Sequence, residues 1–311
     1  MMIRAMSSSV VVAAVLGAAA AIGAAQARAG FDGNRAYEHL RQVVAFGPRP
    51  AGSRALESTR QYIKKQLADV GIQTVEQAFD AETPIGRIHM VNLIARIPGA
   101  SADRIVFAGH YDTKLYREFR FVGANDAGSS TAFLIEWGRV MKARKNPFTV
   151  ELLFLDGEEA TVEWQGTDRT YGSRHYVEVA QREKTLASLR ALILVDMIAD
   201  RDLTIRRESA STRWLTDAIW AAARRLKQTD AFLDSSAEIE DDHLPFLNAG
   251  VPAVDIIDGP DDYAPWHTAG DTLDKVSARS LQTVGDVLLE ALPAIEKRLA
   301  SGPGRDAGAS R

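Results

Sequence analysis

Five stretches of this chain have the composition of β-strands, and several of them are apolar on both faces. They are residues 89–97, 104–112, 149–156, 189–196 and 252–257. A strand of this kind is stable only in a sheet that helices cover on both sides. Helical patterns alternate with the strands at residues 53–70, 130–142, 212–226 and 277–299. The sequence therefore predicts a three-layer α/β/α sandwich with a central, mostly parallel (mixed) sheet.

The chain has no linker or internal repeat that would divide this pattern. We expect one domain over residues 31–300, followed by a Gly-rich and polar tail at residues 301–311 that is predicted to be disordered. With 311 residues, of which 46% are hydrophobic and 25% charged, the chain is long enough to bury a large core.

The first 27 residues resemble a secretory signal peptide. Arg4 precedes an apolar run at residues 10–25, and Ala25-Gln26-Ala27 forms a small-x-small cleavage pattern. A membrane anchor is the alternative, but the run is short and rich in Ala and Gly for a stable span. We therefore predict cleavage near Ala27 or Ala29, no stable membrane insertion, and a periplasmic or extracellular mature protein.

Composition excludes several classes of function. The formal net charge is -4 and the sequence pI is about 5.9, so the chain has no generally basic surface for a phosphate backbone, and we expect no nucleic-acid partner. There are no cysteines. Disulfides, thiolate catalysis and Cys-ligated metals are therefore excluded.

Polar residues follow three of the apolar strands at the point where each strand ends. "GHYD" closes the strand that contains His110, "LLFLDGEEA" continues into Glu158 and Glu159, and "LVD" ends at Asp196. Because ligands of open α/β sheets bind beyond the carboxyl ends of the strands, we expect these side chains to converge. Asp156, in the same acidic stretch, is predicted to support the turn.

Converging carboxylates repel one another unless a positive charge lies among them, so the pattern favours a metal ion. Asp126 in "VGANDAGSS" and His267 in "APWHTAGDT" complete the set. Alone, Asp126 is more typical of a helix N-cap and Asp196 of a polar strand end. Their occurrence together with three further candidates at element ends favours a catalytic zinc site, since carboxylate oxygen and imidazole nitrogen without sulfur suit zinc.

The order of the motifs resembles a known family. "GHYDTK", "VGANDAGSS", "FLDGEEA" followed by Trp164, "YGSRH", "LVDMI", "EDDHLPFLNAGVP" and "PWHT" are similar to the animal-type glutaminyl-peptide cyclotransferases, or glutaminyl cyclases. The resemblance covers residues 46–273. It implies the α/β sandwich that these enzymes share with zinc-dependent aminopeptidases, and this chain departs from it by lacking a disulfide.

The resemblance also implies roles for individual residues. One zinc ion would be bound by Asp126, Glu159 and His267, with water or substrate in the fourth position. Glu158 would shuttle a proton, with Asp196 and Asp241 as its hydrogen-bonded neighbours. The implied substrate-binding residues are Trp164 and Trp266 as walls, Glu240 near the amino end of the substrate and Tyr263 as a further aromatic wall.

The implied reaction is the cyclisation of N-terminal glutamine in peptides or proteins to pyroglutamate, with release of ammonia, by a monomeric enzyme. The first alternative is an aminopeptidase with two zinc ions, in which His110 and Asp196 bind the second metal, Asp126 bridges and Glu158 activates water. The second alternative is a non-catalytic binding domain. It is disfavoured because the chain retains every candidate ligand and the acid-base carboxylate.

Overall fold

The computed structural model describes residues 30–302. The predicted signal peptide and nearly all of the predicted tail lie outside these residues. The strands are β1 (Thr74–Thr83), β2 (Gly86–Ile97), β3 (Ser101–His110), β4 (Phe148–Leu155), β5 (Leu189–Asp196), β6 (Ile205–Glu208), β7 (Phe232–Ala237) and β8 (Ala253–Ile257). The α-helices are α1 (Gly33–Ala45), α2 (Arg54–Asp69), α3 (Gly128–Ala143), α4 (Tyr171–Arg182), α5 (Arg213–Arg225), α6 (His243–Asn248) and α7 (Ala278–Ala300).

Six strands form one mixed sheet in the order β1-β2-β4-β3-β5-β8. The pairs β4/β3, β3/β5 and β5/β8 are parallel, whereas β1/β2 and β2/β4 are antiparallel. Strands β6 and β7 form a separate parallel pair. The four parallel strands end at the same edge of the sheet, so the residues that follow them are brought together there.

Alternate residues of the central strands pack into two different cores. Ile105 and Phe107 of β3 face a core built with α1, α2, α3, α5 and α7, while Val106 and Ala108 face a second core with α4 and α6. Because successive side chains of a strand point to opposite faces, both faces of the sheet are covered by helices. The predicted three-layer α/β/α sandwich is confirmed.

The predicted elements match the observed ones to within a few residues. Strand β5 has the predicted bounds, and the helix predicted at residues 53–70 is α2, whose N-cap Ser53 accepts a hydrogen bond from the Leu56 N–H at 3.1 Å. Gly71, just past its end, has a φ of +74°, which glycine adopts without strain. The sequence did not predict β1, because this edge strand is mostly exposed and polar.

Asp126 is not the N-cap residue of α3, which was the alternative to its predicted role as a metal ligand. Helix α3 starts one residue later than an N-cap at Asp126 requires: Ala127 is its N-cap residue, and no side chain within residues 30–302 caps the helix. The Asp126 carboxylate points instead toward His110 and His267. Within residues 30–302, no helix is both long and apolar enough to cross a membrane.

Candidate active site

Asp126, Glu159 and His267 form the first of two clusters at the carboxyl edge of the sheet. His267 Nε2 lies 3.3 Å from Asp126 Oδ2 and 3.2 Å from Glu159 Oε1. One ligand atom from each residue lies within 4.8 Å of the others. Glu159 Oε2 is buried, accepts no hydrogen bond from residues 30–302 and lies 3.7 Å from Lys114 Nζ. Three donor groups that converge in this way fit the ligand set of a zinc ion.

The pKa values of this cluster reflect both attraction between its histidine and carboxylates and repulsion between the two carboxylates. Burial alone would raise the pKa of Asp126, but hydrogen bonds from His110 and His267 outweigh it and hold that pKa well below its usual range. Burial would lower the pKa of His267, but Asp126 and Glu159 raise it to about 9. Burial and the charge of Asp126 raise the pKa of Glu159. The site is therefore built to hold a positive charge among its carboxylates.

The second cluster consists of His110, Asp126 and Asp196. His110 Nε2 lies 3.2 Å from Asp196 Oδ1 and 3.3 Å from Asp126 Oδ1, and ligand atoms of the three lie within 4.8 Å of one another. Asp126 thus presents one oxygen to each cluster, since its Oδ2 faces His267. A carboxylate in this position is able to bridge two ions.

Glu158 follows the tight turn at Gly157, whose φ of +69° favours glycine, and its side chain is buried. Glu158 Oε2 lies 3.7 Å from His110 Nδ1. Burial, helped by the charges of Glu159 and Asp241 and opposed by that of His110, raises the pKa of Glu158 well above its usual value. A carboxyl group with a raised pKa is suited to acid-base work near neutral pH.

Asp112 positions the two adjacent glutamates, a role that the sequence reasoning missed. Its Oδ1 accepts the N–H of Glu158 at 3.2 Å and its Oδ2 accepts the N–H of Glu159 at 3.4 Å. The only signal in the sequence was its place in "GHYD", immediately after the β3 strand. Asp156, predicted to support the turn, accepts the N–H of Val91 at 2.7 Å and so anchors the turn to β2.

Asp196 and Asp241 lie near Glu158 but do not hydrogen-bond to it among the described residues. Asp196 contacts His110, and Asp241 Oδ1 accepts the backbone N–H of Asp242. The implied hydrogen-bonded neighbourhood of Glu158 is therefore corrected to an electrostatic one, in which the charge of Asp241 acts on Glu158. Asp241 Oδ2 is buried and has no hydrogen-bond partner in the described part of the chain.

A cavity of about 880 Å³ opens onto the first cluster. Trp164, Glu240 and Trp266 all line it, together with Glu158 and Asp241. The Trp266 ring stacks on His267, with 4.0 Å between ring centroids and an interplanar angle of 16°. This aromatic and acidic cavity is large enough for the end of a peptide.

Tyr263 does not form a wall of this cavity. Its side chain is only 1% exposed, it is absent from the cavity lining, and its hydroxyl donates to Asp271 Oδ1 at 2.7 Å. Asp271 in turn accepts the backbone N–H groups of Asn125 and Asp126. Tyr263 thus supports the loop that carries Asp126, and its predicted role as a substrate wall is wrong.

A larger groove, of about 1360 Å³, lies near the opposite edge of the sheet, where Leu189 begins β5 and Pro252 precedes β8. Among residues 30–302, no carboxylate or imidazole side chain lines it. The chemistry of the lining, rather than the size of the cavity, therefore places the candidate active site at the carboxyl edge.

The fold and the two clusters define a metal-dependent exopeptidase-like α/β protein. The model of peptidase family M28 matches residues 92–292, and the chain belongs to this zinc-dependent family. The mouse glutaminyl-peptide cyclotransferase-like protein is 29% identical over 254 residues, which are 72% of this chain. The chain spans 66% of the mouse protein's length, just under two thirds.

Solved structures extend the comparison. The crystal structure of an Acidobacteriales bacterium glutaminyl cyclase is 41% identical, with a TM-score of 0.83 over 88% of this chain and 98% of that one. A leucine aminopeptidase precursor from Bacteroides thetaiotaomicron is 25% identical, with a TM-score of 0.76 over 85% and 97% of the two chains. The resemblance to glutaminyl cyclases is thereby confirmed.

Proposed function

We propose that this chain is a zinc-dependent glutaminyl-peptide cyclotransferase, which converts the N-terminal glutamine of peptides and proteins to pyroglutamate and releases ammonia. The observation that carries the proposal is a cavity walled by two tryptophans and opening onto the Asp126–Glu159–His267 cluster, in a chain 41% identical to a solved glutaminyl cyclase. Trp164 and Trp266 bind the substrate, and Glu158 transfers the proton.

Asp126, Glu159 and His267 are the residues that would hold one zinc ion. When bound, zinc supplies a Lewis acid that polarises the side-chain carbonyl of the substrate glutamine. The stacking of Trp266 on His267 holds the imidazole in place, and Lys114 donates its backbone N–H to Glu159 Oε1 at 3.1 Å. Such neighbours orient the ligands before the metal binds.

Glu158 is the proton carrier. As a carboxylate it accepts a proton from the substrate's α-amine, whose nitrogen then forms a bond to the side-chain amide carbon and closes a five-membered lactam. The bond from that carbon to the amide nitrogen breaks, Glu158 returns the proton to this nitrogen, and ammonia leaves. Asp112 keeps Glu158 in place through the backbone N–H of that residue.

The second candidate is an aminopeptidase with two zinc ions. The observation that favours it is the His110–Asp126–Asp196 cluster, which shares Asp126 with the first cluster. There, Glu158 would activate a water that cleaves the first peptide bond. The likeness to an aminopeptidase precursor agrees with this fold but does not distinguish the two reactions.

Residues 1–27 are proposed to direct secretion, so that the mature enzyme works in the periplasm or outside the cell. It is proposed to act as a monomer. Its partners are peptides or proteins with N-terminal glutamine. Immunodetection of the full-length chain in periplasmic and cytoplasmic fractions, with a chain that starts at residue 30 as the control, tests this. Equal distribution of the two forms would contradict it.

The reaction is tested by mass spectrometry of a Gln-initiated peptide incubated with the zinc-loaded protein. Loss of one ammonia from an otherwise intact peptide supports the cyclotransferase, after correction for spontaneous cyclisation in an enzyme-free sample. The same peptide with an acetylated N-terminus is the matched control, because it has no free amine to attack. Release of free glutamine and a peptide shortened by one residue would instead identify the aminopeptidase.

A further inference from the structure

Arg169, to which the family resemblance assigns no role, contacts Trp164 and Glu240 at one wall of the active-site cavity. Its guanidinium lies over the Trp164 ring, 5.5 Å from the ring centroid, and its Nη1 lies 2.7 Å from Glu240 Oε2. The same Glu240 oxygen accepts the indole N–H of Trp164 at 3.2 Å. We call these three residues the Trp164 brace.

The brace holds the indole from one side only. Trp164 and Glu240 line the cavity, whereas Arg169 is absent from its lining. The guanidinium therefore covers a face of the ring outside the cavity, and the ring remains available to substrate. Glu240 is half exposed, and one oxygen of its carboxylate, Oε2, makes both contacts, with Arg169 and with Trp164.

We propose that Arg169 is a positioning residue that fixes Trp164 as the wall against which the N-terminal part of the substrate packs, with Glu240 serving as its link to the indole. This rests on the proposed function. Removal of Arg169 eliminates the contact with the ring face and also the cation that holds Glu240.

Loss of Arg169 is expected to weaken substrate binding rather than to slow the chemical step. Exposed ion pairs and exposed cation–π contacts are individually weak, but here both act on the position of one indole. A wall that is ordered before substrate arrives lowers the entropic cost of binding. Because the wall contacts the bound substrate and its transition state equally, its loss raises KM and leaves kcat nearly unchanged.

The first test is the steady-state kinetics of Arg169→Ala with a Gln-initiated peptide. We expect KM to rise about three- to tenfold, with kcat within about twofold of the parent enzyme. Arg169→Lys keeps the charge but loses the planar stacking surface, so its KM should be intermediate. The matched control is Arg298→Ala, which removes a cation from the Trp214 ring, 5.1 Å away, outside the active-site cavity. An unchanged KM in Arg169→Ala, or an equal rise in the control, would overturn the proposal.

A charge reversal tests the Glu240 link. The double variant Arg169→Glu with Glu240→Arg restores an ion pair and places the new guanidinium near the same indole. Its KM should lie below that of either single variant. If the KM of the double variant is no lower than that of the worse single variant, the contact between these two residues does not position Trp164, and the proposed link is wrong.

Fluorescence gives a readout that does not depend on turnover. The chain has five tryptophans, so the Trp164 signal is isolated as the difference between the emission of a protein and that of its Trp164→Phe variant. We expect Arg169→Ala to shift this difference spectrum to longer wavelength as the indole becomes more hydrated. No shift overturns the brace even if KM changes. If the parent enzyme fails to cyclise any peptide, the proposed function fails, and the emission still decides whether the brace exists.

Discussion

His267 Nε2 lies 3.2 Å from Glu159 Oε1, although 108 residues separate the two in the sequence. Glu159 follows the central strand β4, whereas His267 lies in a loop after β8, at the end of the sheet. The loop reaches back across the carboxyl edge and places the imidazole among buried carboxylates. His267 itself adopts a φ of +53°, an uncommon conformation for a residue other than glycine, which agrees with a position imposed by the site.

Replacing Glu158 with Gln should leave zinc bound and abolish turnover. The amide keeps the shape of the side chain but cannot accept the proton of the amine, and loss of a general base lowers kcat by about 10² to 10⁴. The measurements are kcat and zinc content per chain. Glu178→Gln, an exposed position on α4, is the control and should match the parent enzyme. A Glu158→Gln enzyme that retains normal kcat would remove Glu158 from the mechanism.

Zinc content distinguishes the two proposed reactions. A cyclotransferase should contain one zinc per chain, lose it in His267→Ala and keep it in His110→Ala. Because a metal that binds only the folded state stabilises it, His267→Ala and chelated parent protein should both unfold at a lower temperature than zinc-loaded protein. His89→Gln, an exposed histidine outside both clusters, is the control. Two zinc ions in the parent enzyme, with one lost in His110→Ala, would favour the aminopeptidase.

Asp112→Asn should reduce turnover although Asp112 is not a candidate ligand. The amide has one acceptor oxygen for two backbone N–H groups, those of Glu158 and Glu159. An unsatisfied buried donor costs about 1 to 3 kcal/mol, so the free energy of unfolding should fall by that amount. We expect kcat to fall about tenfold, because a displaced Glu158 misaligns proton transfer. Unfolding by urea and steady-state kinetics check both effects, and unchanged values of both would show that Asp112 does not position the pair.

Asp258 should make the protein less stable as pH rises. Burial and the charge of Asp200 raise its pKa from 3.8 to about 8, and its Oδ2 accepts no hydrogen bond from any residue that the structure describes. A carboxyl group with a raised folded-state pKa contributes stability that is complete below the unfolded pKa and is lost as pH rises to the folded pKa.

The measurement is the free energy of unfolding of Asp258→Asn and of the parent protein between pH 5 and about 8. The asparagine variant carries no titrating group at position 258, so the parent should lose stability relative to it by up to about 1.4 kcal/mol per pH unit. Asp261→Asn, an exposed neighbour, is the control. Parallel pH curves for Asp258→Asn and the parent would contradict the assignment.

The layered fold and the ends of its central strands were predictable because strands with apolar residues on both faces require helices on both faces. The candidate ligands were predictable because carboxylates and histidines ended elements in a regular order. The edge strand β1 was not predictable, because polar residues are tolerated at its exposed positions and little hydrophobic alternation remains in its sequence. Tyr263 was misassigned because a resemblance in sequence does not determine which side of its loop a side chain faces.

The sequence by itself determined which chemical groups this protein contains and that strand ends would bring several of them to one edge. Only the tertiary structure decided their pairings: Asp126 divides its two oxygens between His110 and His267, Asp112 holds the backbone of the two glutamates, and Arg169 lies behind Trp164. A hydropathy pattern indicates which residues are buried. These contacts depend instead on the directions that loops and side chains take once the sheet has formed. A contact between residues distant in sequence leaves no periodic signal in a single chain.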